Sequence, residues 1–110
     1  MNVHELAKKC GFTYFSGENL EAGTVSGAYC CDLLSWVIGR ASEGEALVTV
    51  MSNANVMAVA VMADLPCVIL TEGVAPDGTA LKKAQENNII VLSSSQNTYH
   101  TAILIHEALC

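Results

Sequence analysis

The segment ALVTVMSNANVMAVAVMADLPCVILTEG, residues 46–73, decides the fold of this chain. It opens with a β-branched run over residues 47–51 and passes through a short polar stretch. An apolar stretch over residues 56–65 follows, long enough for about three helical turns, and Pro66 blocks its continuation. A second β-branched run covers residues 67–71. This order predicts strand, helix and parallel strand. Because neither run alternates with polar residues, we expect both strands to be covered on both faces.

The flanking sequence predicts further helices and strands. Asn2 is suited to cap the first helix and Gly11 to end it, while Asp32 and Gly39 bracket a second helix that is apolar nearly all round. Such a helix is either deeply buried or touches a partner. The remaining predictions are helices over residues 2–10, 33–38, from Asp77 or Thr79 to about 88 and from Asn97 or Thr98 to about 109, and strands over residues 12–15, 24–28 (irregular) and 89–92.

These elements predict one domain over residues 1–110, a three-layer α/β/α fold with a mostly parallel central sheet of about four or five strands. The best strands end at Met51, Thr71 and Leu92, and a helix links each to the next. Right-handed crossovers should therefore place them side by side, with their carboxyl ends on one edge.

Small polar residues follow each of these strands. Another polar pair, Asp32 and Ser35, lies at the start of the second helix. In an open α/β sheet a ligand binds in the crevice at the carboxyl edge, where helix N-termini favour an anion. We therefore predict a small anionic ligand site there. The candidate ligand-binding residues are Asp32, Ser35, Ser52, Asn53, Asn55, Thr71, Glu72, Gly73, Ser94 and Ser95.

Several of these residues have a simpler interpretation. Ser52 or Asn53 is a common N-cap, and Asp32 placed three residues before Ser35 also fits capping. Glu72 could act as an acid or base, but it has no identifiable partner for that work and is equally well a loop carboxylate. Both interpretations stay open from the sequence.

Composition excludes some functions. The net charge is −6, from 11 acidic and 5 basic residues, which argues against a nucleic-acid surface. Apolar residues make up 52% of the chain and charged residues only 15%, so we expect a partner to cover part of the surface, most simply in a homodimer. We find neither a signal peptide nor an apolar run long enough for a bilayer, and expect a cytoplasmic protein without membrane contact.

The chain offers no convincing catalytic or metal centre. Its cysteines are five, an odd number without framework spacing, and we expect reduced thiols, with Cys30 and Cys31 as buried structural residues. His100 and His106 lie six apart and are expected on different faces of the last helix, as surface or interface residues. We therefore expect no cofactor, no metal and no enzymatic activity.

The chain resembles the DRTGG domain family, which is related to the amino-terminal domain of HPr kinase/phosphorylase. Asp32-Leu33-Leu34-Ser35, following a Gly-containing segment, is the most specific part of the resemblance. The namesake motif departs from the pattern, with Glu21-Ala22 where Asp-Arg is expected and only Gly27 of a glycine pair. The other carriers are the short first helix with Gly11, residues 25–29, residues 48–51 through Asn55-Val56, and Pro76-Asp77-Gly78 with the helix after it.

This resemblance implies a non-catalytic accessory module that dimerises and occurs alone or attached to nucleotide-sensing and phosphate-metabolism enzymes. It implies no kinase activity, and the chain lacks a P-loop. The predicted function is a regulatory or ligand-sensing module, as a homodimer, for a small molecule or nucleotide. The alternative is a pure interaction module, an accessory subunit of a larger metabolic or redox complex.

Overall fold

A computed structural model describes all 110 residues of the chain. Five helices and five strands follow one another. In chain order they are α1 (Val3–Cys10), β1 (Thr13–Ser16), β2 (Gly27–Cys30), α2 (Leu34–Val37), β3 (Glu45–Thr49), α3 (Ala54–Met62), β4 (Val68–Leu70), α4 (Gly78–Glu86), β5 (Val91–Ser93) and α5 (Thr98–Leu109).

The strands form one sheet in the order β1-β5-β4-β3-β2. The segment that decides the fold is confirmed, because β3 and β4 pair in parallel, with Val48 opposite Ile69. Strands β2 and β5 join them in parallel on either side, and only β1 runs antiparallel, along β5. The prediction of a mostly parallel sheet of about four or five strands is therefore confirmed, with five strands present, and the carboxyl ends of four of them lie along one edge.

The sheet is covered on both faces, which confirms the three-layer architecture. Alternate residues of the central strands point to opposite faces. Val48, Ile69 and Leu92 pack with the residues of α1 and α5, while Leu47 and Val68 pack with those of α2, α3 and α4. Strands β3 and β4 are buried along almost their whole length, which explains why their sequences are apolar without alternation.

Most helices begin and end where their capping residues predict. Asn2 accepts a hydrogen bond from the Glu5 N–H and forms a capping box, and Gly11 ends α1 at φ +74°, a left-handed conformation that glycine adopts without strain. Of the two candidate caps of α3 it is Asn53 that accepts a hydrogen bond, from the Asn55 N–H.

The second helix differs from its prediction. Helix α2 is one turn long, and Asp32 does not cap it, because Leu33 occupies the N-cap position without any side-chain hydrogen bond. Of the two alternatives for this helix, deep burial or contact with a partner, the structure does not show deep burial. Val37 is buried, but Leu33, Trp36 and Ile38 are 59%, 48% and 42% exposed.

The second strand lies further along the chain than predicted. Residues 24–26 were expected in it, but β2 begins at Gly27 and runs to Cys30. Thr24 instead makes an isolated bridge to Asn2, and the buried Val25 donates its N–H to the Met1 carbonyl. Thr24 and Val25 are thus held by the first residues of the chain, while the Ser26 N–H donates to the Gly44 carbonyl directly before β3.

The cysteines are free thiols, but few are buried. Only Cys67 lies in the interior, while Cys30 is exposed and Cys31 half-buried, so their predicted burial is wrong. None of the helices combines the length and hydrophobicity needed to cross a bilayer.

Candidate functional site

The loops at the carboxyl edge of the sheet are hydrogen-bonded to one another. The Asp77 N–H donates to the Ser52 carbonyl at 3.2 Å, which joins the loop after β4 to the loop after β3. The Glu72 N–H donates to the Gln96 carbonyl at 2.8 Å, joining the loops after β4 and β5. The structure therefore brings the polar ends of the three central strands together on one rim.

Asp32 adds the end of β2 to this rim. Its Oδ1 accepts hydrogen bonds from the Thr49 hydroxyl at 2.8 Å and from the Val50 N–H at 3.0 Å. The sheet register explains this choice, since Cys30 lies opposite Val48 and the residue two positions further therefore lies beside Val50. The carboxylate stabilises the end of β3 instead of the start of α2.

Two pairs of hydroxyl groups fill the interior of the rim. Buried Thr71 lies 3.0 Å from the Thr98 hydroxyl, and buried Ser94 lies 2.7 Å from the Thr101 hydroxyl. Each pair links a strand end to the first turns of α5. The hydroxyl groups of each pair are hydrogen-bonded to each other, so the first role of Thr71 and Ser94 is to stabilise the fold and not to bind a ligand.

The backbone of the loop after β4 is also engaged. Glu72 and Gly73 both have left-handed backbone conformations, with φ of +62° and +68°. This turn directs their N–H groups to carbonyls of the next loop, those of Gln96 and Ser94. The Glu72 side chain is exposed, in agreement with a loop carboxylate.

The other predicted residues present polar groups outward. Ser52 and Asn53 are half-buried, and Ser35, Asn55 and Ser95 are exposed. Helices α3, α4 and α5 all begin at this edge, capped by Asn53, Asp77 and Asn97. Each cap satisfies one N–H of a first turn, and a helix start leaves other N–H groups for water or a ligand. The edge combines these donors with outward-facing hydroxyls and amides.

The raised pKa of the Cys30 thiol does not suit this cysteine to act as a nucleophile. Partial burial, with a smaller contribution from the Asp32 carboxylate, raises the pKa of the Cys30 thiol above its usual value. The thiol therefore stays protonated near neutral pH, and the thiolate is the nucleophilic form.

The cavities of the molecule lie elsewhere. One of about 370 Å³ lies between the end of β1 and the end of α4, lined by Tyr14, Glu18, Gln85 and Asn88 among others. Another, of about 540 Å³, lies before β2, β3 and β4 and includes Thr24. None of the four cavities is lined by a predicted site residue.

Sequence reasoning missed several residues of this edge. Thr49, Thr98 and Thr101 hold Asp32, Thr71 and Ser94 in place, yet none was a candidate. The sequence does carry one signal for the two threonines of α5. Thr98 and Thr101 are spaced i, i+3 in its first turns, which places both hydroxyl groups on the same side of the helix. The residues around the first cavity carry no sequence pattern that would distinguish them from ordinary turn and helix-end residues.

The sequence profile of the DRTGG domain matches residues 5–108. The chain belongs to the DRTGG domain family. Within this DRTGG domain, the degraded namesake stretch runs from Glu21 to Gly27, the first residue of β2. It lies at the opposite edge of the sheet from the candidate site, and Gly23 lines the cavity of about 540 Å³. The departure from the family motif therefore does not alter the carboxyl edge.

A solved structure has the same fold. It is the crystal structure of the CBS and DRTGG domains of the regulatory region of Clostridium perfringens pyrophosphatase, complexed with the activator diadenosine tetraphosphate. The TM-score is 0.71 at 16% identity, and the match covers 97% of this chain and 46% of that one. The DRTGG domain described here thus spans about half the length of that chain. No protein with a curated function matches the sequence.

Proposed function

We propose that this DRTGG domain is a non-catalytic regulatory module, acting as a homodimer, that senses a small anionic ligand at the carboxyl edge of its sheet. The observation that carries the proposal is the joining of the loops after β3, β4 and β5, through the bonds from Asp77 to Ser52 and from Glu72 to Gln96. A ligand that bridges these loops would change how α3, α4 and α5 are held, and a change of that kind can be passed to a partner.

The electrostatics of the edge suit an anion held by neutral donors. The positive ends of three helix dipoles point toward the rim, and the N–H groups of a helix start favour negative charge. Asp32 and Asp77 lie there too, but both carboxylates already accept backbone N–H bonds, from Val50 and Ala80. Binding should therefore depend on N–H, hydroxyl and amide groups.

Family membership supports a regulatory role. The pyrophosphatase structure of the same fold is a regulatory region with a bound nucleotide activator, which is a property of that protein. We use it to choose probes, namely dinucleoside polyphosphates, mononucleotides, pyrophosphate and inorganic triphosphate, and not to assign a ligand.

Thermal unfolding in the presence of each probe tests the proposal. A ligand that binds only the folded state raises the unfolding temperature, and the rise grows with the logarithm of the ligand concentration above its Kd. Asn55→Asp places a negative charge in the first turn of α3, where it stabilises the helix but repels an anion. We expect this variant to lose the ligand-induced rise.

The matched control is Asn19→Asp. It makes the same charge change in the exposed turn after β1, at the opposite edge of the sheet. This variant should keep the full ligand-induced rise. If no anion stabilises the wild-type domain, or if both variants lose the effect equally, the carboxyl-edge proposal is wrong.

A specific observation favours a second function, that of an interaction module. Leu33, Trp36 and Ile38 are exposed around α2, and Arg40 stacks on the Trp36 ring at 3.7 Å from its centre. Leu33→Asp should leave the fold intact but prevent a partner from docking on this surface. Pull-down from the native source with wild type and Leu33→Asp tests this function. Recovery of the domain alone in both cases would contradict it.

A further inference from the structure

A histidine in the last turn of α5 and the cysteine at its C-cap position are in contact. Cys110 Sγ lies 3.5 Å from His106 Nε2, and both side chains are exposed. The two residues are spaced i, i+4, so they lie above one another on the same face of the helix. They lie at the far end of α5 from the proposed anion site.

The spacing of these two atoms suits tetrahedral metal coordination. With a Zn–S bond of about 2.3 Å and a Zn–N bond of about 2.0–2.1 Å, tetrahedral angles place sulfur and nitrogen about 3.5 Å apart. The two atoms therefore already lie at the separation that one Zn²⁺ ion bound through both would require. The Cys110 thiol proton would leave to solvent as the Zn–S bond forms.

We propose that His106 and Cys110 form half of a Zn²⁺ site, and that the same pair of a second copy completes it. A single chain contains no group of three or more side chains able to hold a metal, so a closed tetrahedral site needs ligands from another chain. Two copies related by a two-fold axis supply two sulfurs and two nitrogens, a set typical of structural zinc.

The face of α5 around the pair is suited to a second copy. Tyr99, Ile103, His106 and Cys110 follow one another at spacings of four, three and four residues, as in the seam of two helices that pack together. Tyr99 is 70% exposed and Ile103 is half-buried. Helix α5 of one copy can therefore cross that of another along this stripe, with the metal at the crossing.

Cobalt substitution tests the site directly. Reduced protein titrated with Co²⁺ should develop a sulfur-to-cobalt charge-transfer band and the intense visible absorption of a tetrahedral ion, saturating at one metal per two chains. Zn²⁺ should displace Co²⁺ at the same stoichiometry, and either metal should tighten the association of two chains, measured as a lower dimer dissociation constant in sedimentation. Cys110→Ser and His106→Ala should each weaken binding by at least about tenfold, since losing even a supporting contact of a metal ligand costs that much.

Matched variants make the outcome decisive. Cys30→Ser and His100→Ala remove an exposed cysteine and an exposed histidine outside the pair and should bind as the wild type does. Cys110→His keeps a ligand at i, i+4 and should retain Co²⁺ without the sulfur band. The proposal is overturned if Cys110→Ser and His106→Ala bind Co²⁺ like the wild type, if the controls lose binding equally, or if one metal binds per chain without tightening the association of two chains.

Discussion

The carboxylate of Asp32 accepts a 2.8 Å hydrogen bond from the hydroxyl of the buried Thr49, which ties the end of β2 to the end of β3. The same hydroxyl accepts from the Met51 N–H at 3.1 Å, so it also shapes the turn out of β3. Because that turn leads into α3, this contact positions one of the three loops of the candidate site.

Breaking this contact should destabilise the fold modestly. Thr49→Val removes the hydroxyl with little change of volume, and Asp32→Ala removes the acceptor. Each variant should lower the free energy of unfolding in urea, and the double variant should lose less than the sum, with a coupling energy of about 1 kcal/mol. Strictly additive losses would mean that the two side chains do not interact in solution.

Leucines of the core and of the surface should respond very differently to the same change. Leu47 is fully buried between the sheet and α3, whereas Leu33 is 59% exposed. Leu47→Ala should cost about 2–5 kcal/mol of unfolding free energy, because it leaves a cavity, and Leu33→Ala should cost less than about 1 kcal/mol. Similar losses at both positions would contradict the described packing of β3.

Stability should fall at alkaline pH because of one buried thiol. Burial raises the pKa of Cys67 from 9.0 to about 12. Above pH 9 the unfolded chain has lost this proton while the folded chain still holds it, so stability decreases with rising pH until about pH 12. The loss is about 1.4 kcal/mol per pH unit within this window.

Urea unfolding of wild type and Cys67→Ala at pH 8 and pH 10 measures this effect. The variant lacks the thiol, so its stability should change less between the two pH values than that of the wild type. Equal changes in both proteins would mean that Cys67 ionises normally in the fold.

The start of α5 should depend on its capping residue. Asn97 accepts a hydrogen bond from the His100 N–H at 2.8 Å. Asn97→Ala should therefore cost about 0.5–2 kcal/mol, measured by denaturant unfolding. Asn19→Ala, in an exposed turn, is the control and should have almost no effect. A neutral Asn97→Ala variant would contradict the described cap.

Much of this fold could be predicted from the sequence because its strongest signals are local. The uninterrupted apolar runs of β3 and β4 indicate a buried parallel pair, and Pro66 separates the helix from the second strand. Caps such as Asn2 and Asn53 act within a few residues, so the chain order alone reveals them.

Two of the errors arose where a distant contact replaced a local one. Asp32 has an N-cap's position in sequence, but the sheet register offers it Val50 and Thr49 as nearer donors. Thr24 and Val25 read as strand, yet their partners are Asn2 and Met1 at the start of the chain. In the candidate site, Thr98 and Thr101 contact Thr71 and Ser94 across the fold. Their i, i+3 spacing indicates a shared face of α5, but it does not indicate which residues that face contacts.

A titration of the ¹⁵N-labelled domain with inorganic triphosphate, followed by amide chemical shifts, tests the central claim most directly. The proposed function predicts saturable shifts concentrated at residues 52–55, 71–73 and 94–97, and their loss in Asn55→Asp but not in Asn19→Asp. Saturable shifts confined to the cavity around Tyr14 and Asn88, or no saturable shifts at all, would contradict it.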